Sequence, residues 1–325
     1  MIGKQQQKQT LRTFAQERLL KEMLSSSDTE AVKLNMKPTG YLLVLDHYTA
    51  QIVNSVVQMK ELLDHKIVGL EMITTKRKSF SNMHAIYFLE PREDNINYVA
   101  ADVQNRLYEG THLYFTRTIP DTVFESLRAN PEVVEQIISF KELNLDFMVI
   151  DDCQFTLDTR DCFNMLYNRP EESGPFLDLI SERLYTLLSV FFPTNHLEVI
   201  CEKKSVAERV ANNVIAKFKS IQAKLPELLN TNAKSIKVLV LDRYSPSYNR
   251  SFDVKAPVFH DFYYLSMAYD LADIKNNKVE FSTQSSKGTN IQKDCVLNET
   301  DELWVKYRFC HIAEAERLNR EGQAL

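Results

Sequence analysis

Apolar residues along this chain fall into two textures, short unbroken runs and longer stretches in which they return every three or four positions. The runs at 41–46, 66–73, 84–89, 111–116 and 145–150 read as strands, and their lack of alternation points to burial on both faces. Between them, 49–64, 92–105 and 120–129 carry helical spacing, followed by a stretch at 131–140 without an assigned element. Short connections between alternating strands and helices predict a mostly parallel sheet covered by helices. A helix over 10–34 precedes this region, with Leu11, Phe14, Leu19, Leu20 and Met23 near helical spacing. The polar SSSD at 25–28 is expected to stop it before a second short segment, and Lys37-Pro38-Thr39-Gly40 breaks the chain.

A second alternation follows: helix 173–192, strand 196–201, helix 204–223 and strand 235–241. It predicts another α/β layer opening near residue 145. From about 250 the texture changes to aromatic HDFYYLSMAYDL, then to a polar stretch at 275–294, then to a final helix holding Trp304. The polar stretch has little to bury, so it is expected to be a mobile loop or an exposed hairpin. No period marks a repeat protein.

Composition removes several functions. Lys and Arg total 39 against 44 Asp and Glu, a net charge of −5, so the whole chain has no electrostatic attraction to nucleic acid. The five cysteines include no C-x-x-C pair, which disfavours a zinc or dithiol centre and suits a reducing compartment. No apolar run reaches membrane-spanning length and the amino terminus, MIGKQQQKQT, has no apolar signal core; a cytoplasmic protein is expected. The seven glycines lie far apart, so no phosphate-cradling glycine loop can form.

Two strand ends raise the question of catalysis. VLDHY and VLDRY each stop at an aspartate, Asp46 or Asp242, where open α/β sheets place their ligands. A phosphotransferase or hydrolase acting through either residue is one reading. Against it, the position that would hold a second metal-binding acid is Tyr48 or Tyr244, and a capping or ion-pairing role fits both aspartates. Asp151 and Asp152 are adjacent but on a strand face opposite ways, so no metal site is expected there. The seven histidines form no H-x-x-x-H or H-E-x-x-H pattern and no G-x-S-x-G elbow exists. Lys76-Arg77-Lys78 reads either as a grip for an acidic partner or as a solvated loop, and Phe124, Leu127, Ile137, Ile138 and Phe140 read as core. No cofactor is expected. A binding platform without catalysis fits the residues better than an enzyme.

The order of segments resembles a known family. Asp242-Arg243 ending a strand, then Asp253, Pro257, His260 and Met267-Ala268-Tyr269-Asp270-Leu271, is similar to the D-R…D…P…H-[ED]…Q-A-M-x-Y-D-L signature of the Sec/Munc (SM) family. Leu303-Trp304-Val305 with His311-Ile312-Ala313-Glu314 resembles that family's L-W…H-I-A-E block in its exocytic branch, and Val44-Leu45-Asp46, Glu71 through Lys78, and Ala85 through Pro91 resemble segments of its first domain. Family members bind syntaxins and chaperone SNARE assembly in membrane fusion. They run to roughly twice this length.

The resemblance implies an arch-shaped α/β assembly: domain 1 over 1–145, a five-stranded parallel sheet; the first segment of domain 2 over 146–250, a second parallel α/β sheet; and the start of a mainly helical domain 3 over 251–325. It implies a syntaxin-type SNARE protein and the assembled SNARE bundle as partners, with recruitment to plasma or vesicle membranes only through them. Asp46, Gln51, Gln58, Glu71, Lys76 and Arg77 fall at inner-face positions that resemble syntaxin contacts. Phe124, Leu127, Ile137, Phe140 and Glu142 fall at an outer-face pocket for a syntaxin amino-terminal peptide. Two departures stand out: YSPSYNR is inserted after Asp242-Arg243, and Gln51 and Gln58 replace basic residues of exocytic members.

Overall fold

The computed structural model describes residues 10–159, 161–191, 197–224, 236–242, 262–275, 277–284, 290–299 and 301–323. Arg243, Tyr244, Asp253, Pro257 and His260, the YSPSYNR insertion and part of the 275–294 stretch lie outside the described residues. The chain divides into two compact units, residues 1–149 with 153–241, and residues 150–152 with 242–325.

The first unit begins with one continuous helical run: α1 (Leu11–Glu17), a π-helical segment (Arg18–Ser25) and α2 (Ser26–Lys33). SSSD does not stop it. The hydroxyls there bond back to helix carbonyls, Ser27 to Met23 at 2.8 Å and Thr29 to Ser25 at 2.9 Å, so they satisfy themselves without ending the helix. The run then alternates through β1 (Tyr41–Leu45), α3 (His47–Val56), α4 (Met59–Asp64), β2 (Ile67–Met72), β3 (Phe80–Leu89), α5 (Glu93–Gln104), β4 (Tyr108–Phe115), α6 (Asp121–Arg128), α7 (Pro131–Gln136) and β5 (Ile137–Glu142). The expected helix 49–64 is two helices because Val57 and Gln58 are extended.

The five strands form one parallel sheet in the order β2-β1-β3-β4-β5. Every residue of β1 is buried because helices cover both faces, which explains the unbroken apolar run. On one face α5, α6 and α7 bury Ile96, Val99, Val123, Leu127 and Val133 against Leu42, Tyr87 and Phe115. On the other, α1 through α3 pack Leu19, Met23 and Ile52 against Leu43 and Phe88. The fifth strand is a correction: it is Ile137–Glu142, whereas the run expected at 145–150 is a short strand, β6 (Met148–Asp151), outside the sheet and followed by β7 (Gln154–Thr156). An edge strand half open to water lacks the apolar signature, and Leu145, Phe147 and Met148 are apolar because they belong to the buried cluster beneath the sheet.

A short π-helical turn (Asn164–Asn168) leads to α8 (Pro170–Phe191), β8 (Leu197–Cys201), α9 (Val206–Lys224) and β9 (Ile236–Val240), with β8 and β9 parallel. Tyr185 of α8 meets Phe218 of α9 with ring centroids 5.1 Å apart, and both join the cluster that holds Leu43 and Phe88. The two α/β segments therefore share one core.

The second unit contains α10 (Tyr264–Leu271), β10 (Ile274–Lys275), β11 (Lys278–Gln284), β12 (Asn290–Val296), α11 (Glu302–Tyr307) and α12 (Ile312–Gln323). The polar stretch at 275–294 thus contains an antiparallel hairpin, its two long strands paired along their length. Asp301 caps α11 through the Trp304 N–H at 2.9 Å, and Trp304 and Tyr307 pack against Tyr264. Arg308 pairs with Glu299 at 3.1 Å and with Asp151 at 4.0 Å, which gives Asp151 a structural partner. Among the described residues no three metal-ligating side chains converge and no helix is long and apolar enough to cross a membrane.

Candidate functional site

The strand order reverses between β1 and β3, and in open α/β sheets that switch point opens a crevice at the carboxyl ends of the strands. A cleft of about 840 Å³ lies there, lined by Asp46, His47, Tyr48, Ile73, Thr74, Glu90, Arg92, Asp94, Asn95, Tyr98 and Arg183 among others. Asp46 ends β1 and caps α3, with Oδ1 accepting the Thr49 N–H at 2.8 Å. Its Oδ2 accepts the Glu90 N–H at 2.7 Å and the Asn95 amide at 3.0 Å. Both oxygens are engaged. The carboxylate itself occupies the place where helix amino termini would receive a ligand's anion, so neither nucleophile nor metal ligand is available.

Beneath the cleft lies an ionic network. Glu90 meets Arg183 at 3.3 Å, Arg117 at 3.5 Å and Arg92 at 3.2 Å, while Arg117 reaches Asp146 at 2.8 Å. The Arg183 guanidinium sits 4.2 Å over the Tyr48 ring, whose hydroxyl donates to the Asp146 carbonyl at 3.2 Å. Burial, before any neighbouring charge, holds the Glu90 carboxyl above its ordinary range. The same cause pushes the Tyr48 phenol up and keeps it protonated. This network fastens α8 to the strand ends of the sheet.

The remaining inner-face candidates separate. Gln51 is half-buried with its amide 2.9 Å from the His47 ring, and Gln58 is exposed at the start of α4, its N–H donating to Glu61 at 2.9 Å. Glu71 is half-buried on edge strand β2, and Lys76 is exposed. Arg77 is a correction: its side chain is only 4% exposed and faces inward. Nη2 and Nε bind Asp102 at 2.7 and 3.1 Å, and Nη1 binds the carbonyls of Met72, Ile73 and Thr75. With every donor engaged, Arg77 has nothing left for an acidic partner; only Lys76 and Lys78 of that run face solvent. Asp102, which also accepts the Tyr87 hydroxyl at 2.8 Å, was missed from sequence. Its signal is legible afterwards: an acid on the α5 face that buries Val99 and Val103.

The outer-face candidates lie on α6 and β5. Phe124 is 37% exposed and Phe140 39%, whereas Leu127 is 6% exposed and belongs to the core, as does partly buried Ile137. Phe140 stacks edge-on against buried Phe115 with centroids 5.9 Å apart. Glu142 ends β5; its Oε1 accepts the Ile119 N–H at 2.9 Å just before α6. The Arg128 guanidinium, absent from the sequence reading, lies 4.5 Å over the Phe124 ring. The core reading therefore holds for Leu127 and Ile137, and fails for the two phenylalanines.

The chain matches the Sec1 family over residues 41–322. It is 30% identical over 317 residues to the protein transport protein sec1 of Dictyostelium discoideum, covering 94% of this chain and 49% of that one. The crystal structure of the Unc18–syntaxin 1 complex from Monosiga brevicollis superposes with a TM-score of 0.80 at 26% identity, covering 97% of this chain and 53% of that one. Sly1p, solved in complex with an N-terminal peptide of Sed5p, shares the fold with a TM-score of 0.76 at 19% identity, over 95% of this chain and 52% of that one. The chain spans about half the length of the relatives it matches.

Proposed function

We propose that this chain, which belongs to the Sec1 family, is a non-catalytic SNARE-binding protein that acts in vesicle docking and membrane fusion during exocytosis. The observation that carries this reading is the likeness of nearly the whole chain to an Unc18 protein solved together with syntaxin 1. Its partners are a syntaxin-type SNARE and the assembled SNARE bundle. It works on the cytoplasmic side and reaches plasma or vesicle membranes through those partners. In this reading residues 1–145 are domain 1, 146–250 the first segment of domain 2 and 251–325 the start of domain 3.

Two surfaces divide the work. Gln51, Gln58, Glu71 and Lys76 meet a helical bundle, with Asp46 capping the helix that carries Gln51 and Arg77 holding the loop that carries Lys76. Phe124, Phe140 and Glu142 take an extended peptide, with Leu127 and Ile137 as the packing beneath. A small apolar anchor beside one charge-assisted contact suits a short peptide, because little chain must be ordered on binding. The alternative, phosphoryl transfer or hydrolysis through Asp46, finds no support in a carboxylate whose oxygens are both engaged by internal donors. Titration calorimetry with an amino-terminal syntaxin peptide, beside a pull-down with an assembled SNARE bundle, tests the proposal; binding to neither overturns it.

A further inference from the structure

The α6–β5 surface has an electrical polarity, a carboxylate near one end of α6 and a guanidinium at the other. Glu142 is held at the amino-terminal end of α6 by the Ile119 N–H, and Arg128 is the last residue of α6. Phe124 lies between Ile119 and Arg128 in sequence, with the Arg128 guanidinium over its ring. Arg128 is exposed, and among the described residues no carboxylate pairs with it. An arginine stacked on an aromatic ring uses its face and keeps its N–H fork for a carboxylate or phosphate. Glu142 keeps Oε2 for a cation, since only Oε1 has a hydrogen-bond donor among the described residues.

The spacing follows from helix geometry. The eight residues of α6 rise about 1.5 Å each, so its ends lie roughly 10 Å apart. An extended peptide advances about 3.3 Å per residue, so a chain laid along α6 covers that distance in roughly three residues. We propose that Arg128 makes this surface selective for peptides that carry an acidic residue about three positions from a basic one, with an apolar anchor between them. The inference rests on the peptide-binding reading of the same surface. A cation in place of the acid meets the Arg128 charge and loses its pairing.

The test uses the full chain and ten-residue synthetic peptides with a free amino terminus, each carrying one arginine, one leucine next to it, and Asp, Asn or Lys three positions from the arginine. Titration calorimetry should rank them Asp, Asn, Lys, with about tenfold between the extremes, as expected when one partly exposed charge is either paired or opposed. Arg128→Glu should invert the order, and Arg128→Gln, which keeps a polar side chain on α6 but removes the charge, should flatten it. Equal affinities in the wild-type chain, or an order unchanged by Arg128→Glu, overturn the selectivity while leaving Phe124-dependent binding intact. Peptides that do not bind at all, or that bind Phe124→Ala as tightly as the wild type, overturn the surface reading and the selectivity with it. Thermal unfolding of each variant verifies that it is folded before titration.

Discussion

The strand-end cleft and the α6–β5 surface are built from the same residue types, carboxylates, arginines and aromatic rings, but they treat them differently. At the cleft Glu90, Asp146, Arg117 and Arg183 are buried and bound to one another, and Arg183 covers Tyr48. On the α6–β5 surface the corresponding trio is Glu142, Arg128 and Phe124, and there the charges are half or fully exposed and do not meet. Water explains the contrast. A buried charge without a partner costs several kcal/mol, so every ionised group under the cleft has acquired one; an exposed charge pays no such penalty and stays available. Density of charge at a strand end therefore does not by itself mark a binding site.

The largest test of that contrast is to break a buried pair. Asp102→Ala leaves the Arg77 guanidinium without its carboxylate in a site where both side chains are almost fully buried. It should destabilise the protein by about 3–5 kcal/mol, measured by denaturant titration. A change below about 1 kcal/mol would mean that the carbonyls of Met72, Ile73 and Thr75 suffice to hold Arg77.

Next in size is a pH effect from a buried pair of imidazoles. His84 Nδ1 lies 3.1 Å from His112 Nε2, and His112 Nδ1 is hydrogen-bonded to the Ser139 hydroxyl. Burial, reinforced by the neighbouring His84, pushes His112 down to about 3; burial lowers His84 as well. Both rings are neutral in the folded state, whereas the unfolded chain takes up protons near pH 6.5. Their contribution is present above that value and is lost as pH falls toward the folded value. His112 alone should cost about 2 kcal/mol between pH 7 and pH 5. Denaturant midpoints across that range should show the slope, and His112→Asn should reduce it.

Smaller effects are expected at the exposed surface, and in affinity more than in stability. Phe124→Ala should weaken peptide binding by about 1–3 kcal/mol and change stability by no more than about 0.5 kcal/mol. Glu142→Gln keeps an acceptor for the Ile119 N–H and removes the charge, so it should lower affinity for a basic peptide while preserving the loop; Glu142→Lys should lower both. Calorimetry beside thermal unfolding separates the two. A loss of stability in Phe124→Ala comparable to its loss of affinity would assign that ring to the core.

The smallest effect lies at Gln51 and Gln58. Gln51→Lys with Gln58→Lys places cations at two positions of the proposed inner face, and each should strengthen capture of an assembled SNARE bundle by about 0.2–1 kcal/mol, with the gain fading as salt rises. Because Gln58 caps α4, a cation there opposes the positive end of the helix and should cost a few tenths of a kcal/mol of stability. Bundle binding unchanged at low salt would remove both positions from the interface.

What the sequence determined by itself was most of the element order and the caps set by near neighbours along the chain. The runs in β1 and β3 declared a doubly covered parallel sheet, because five or six consecutive apolar residues are stable only between two layers of helix. Asp46 as a helix cap was equally legible, since its partner Thr49 is three residues away. Tertiary structure decided the rest. It placed the fifth strand at Ile137–Glu142, whose edge position leaves it half-exposed and without an apolar run, and sent the more apolar 145–150 beneath the sheet. It turned Arg77 inward to Asp102, 25 residues away, and bound Glu90 to Arg183, 93 residues away. It also left Phe124 under Arg128 at the surface while burying Leu127 one turn further on. Hydrophobic pattern records which residues avoid water; which charges then meet depends on a chain path that closes only when the whole core has packed, and no local spacing encodes that path.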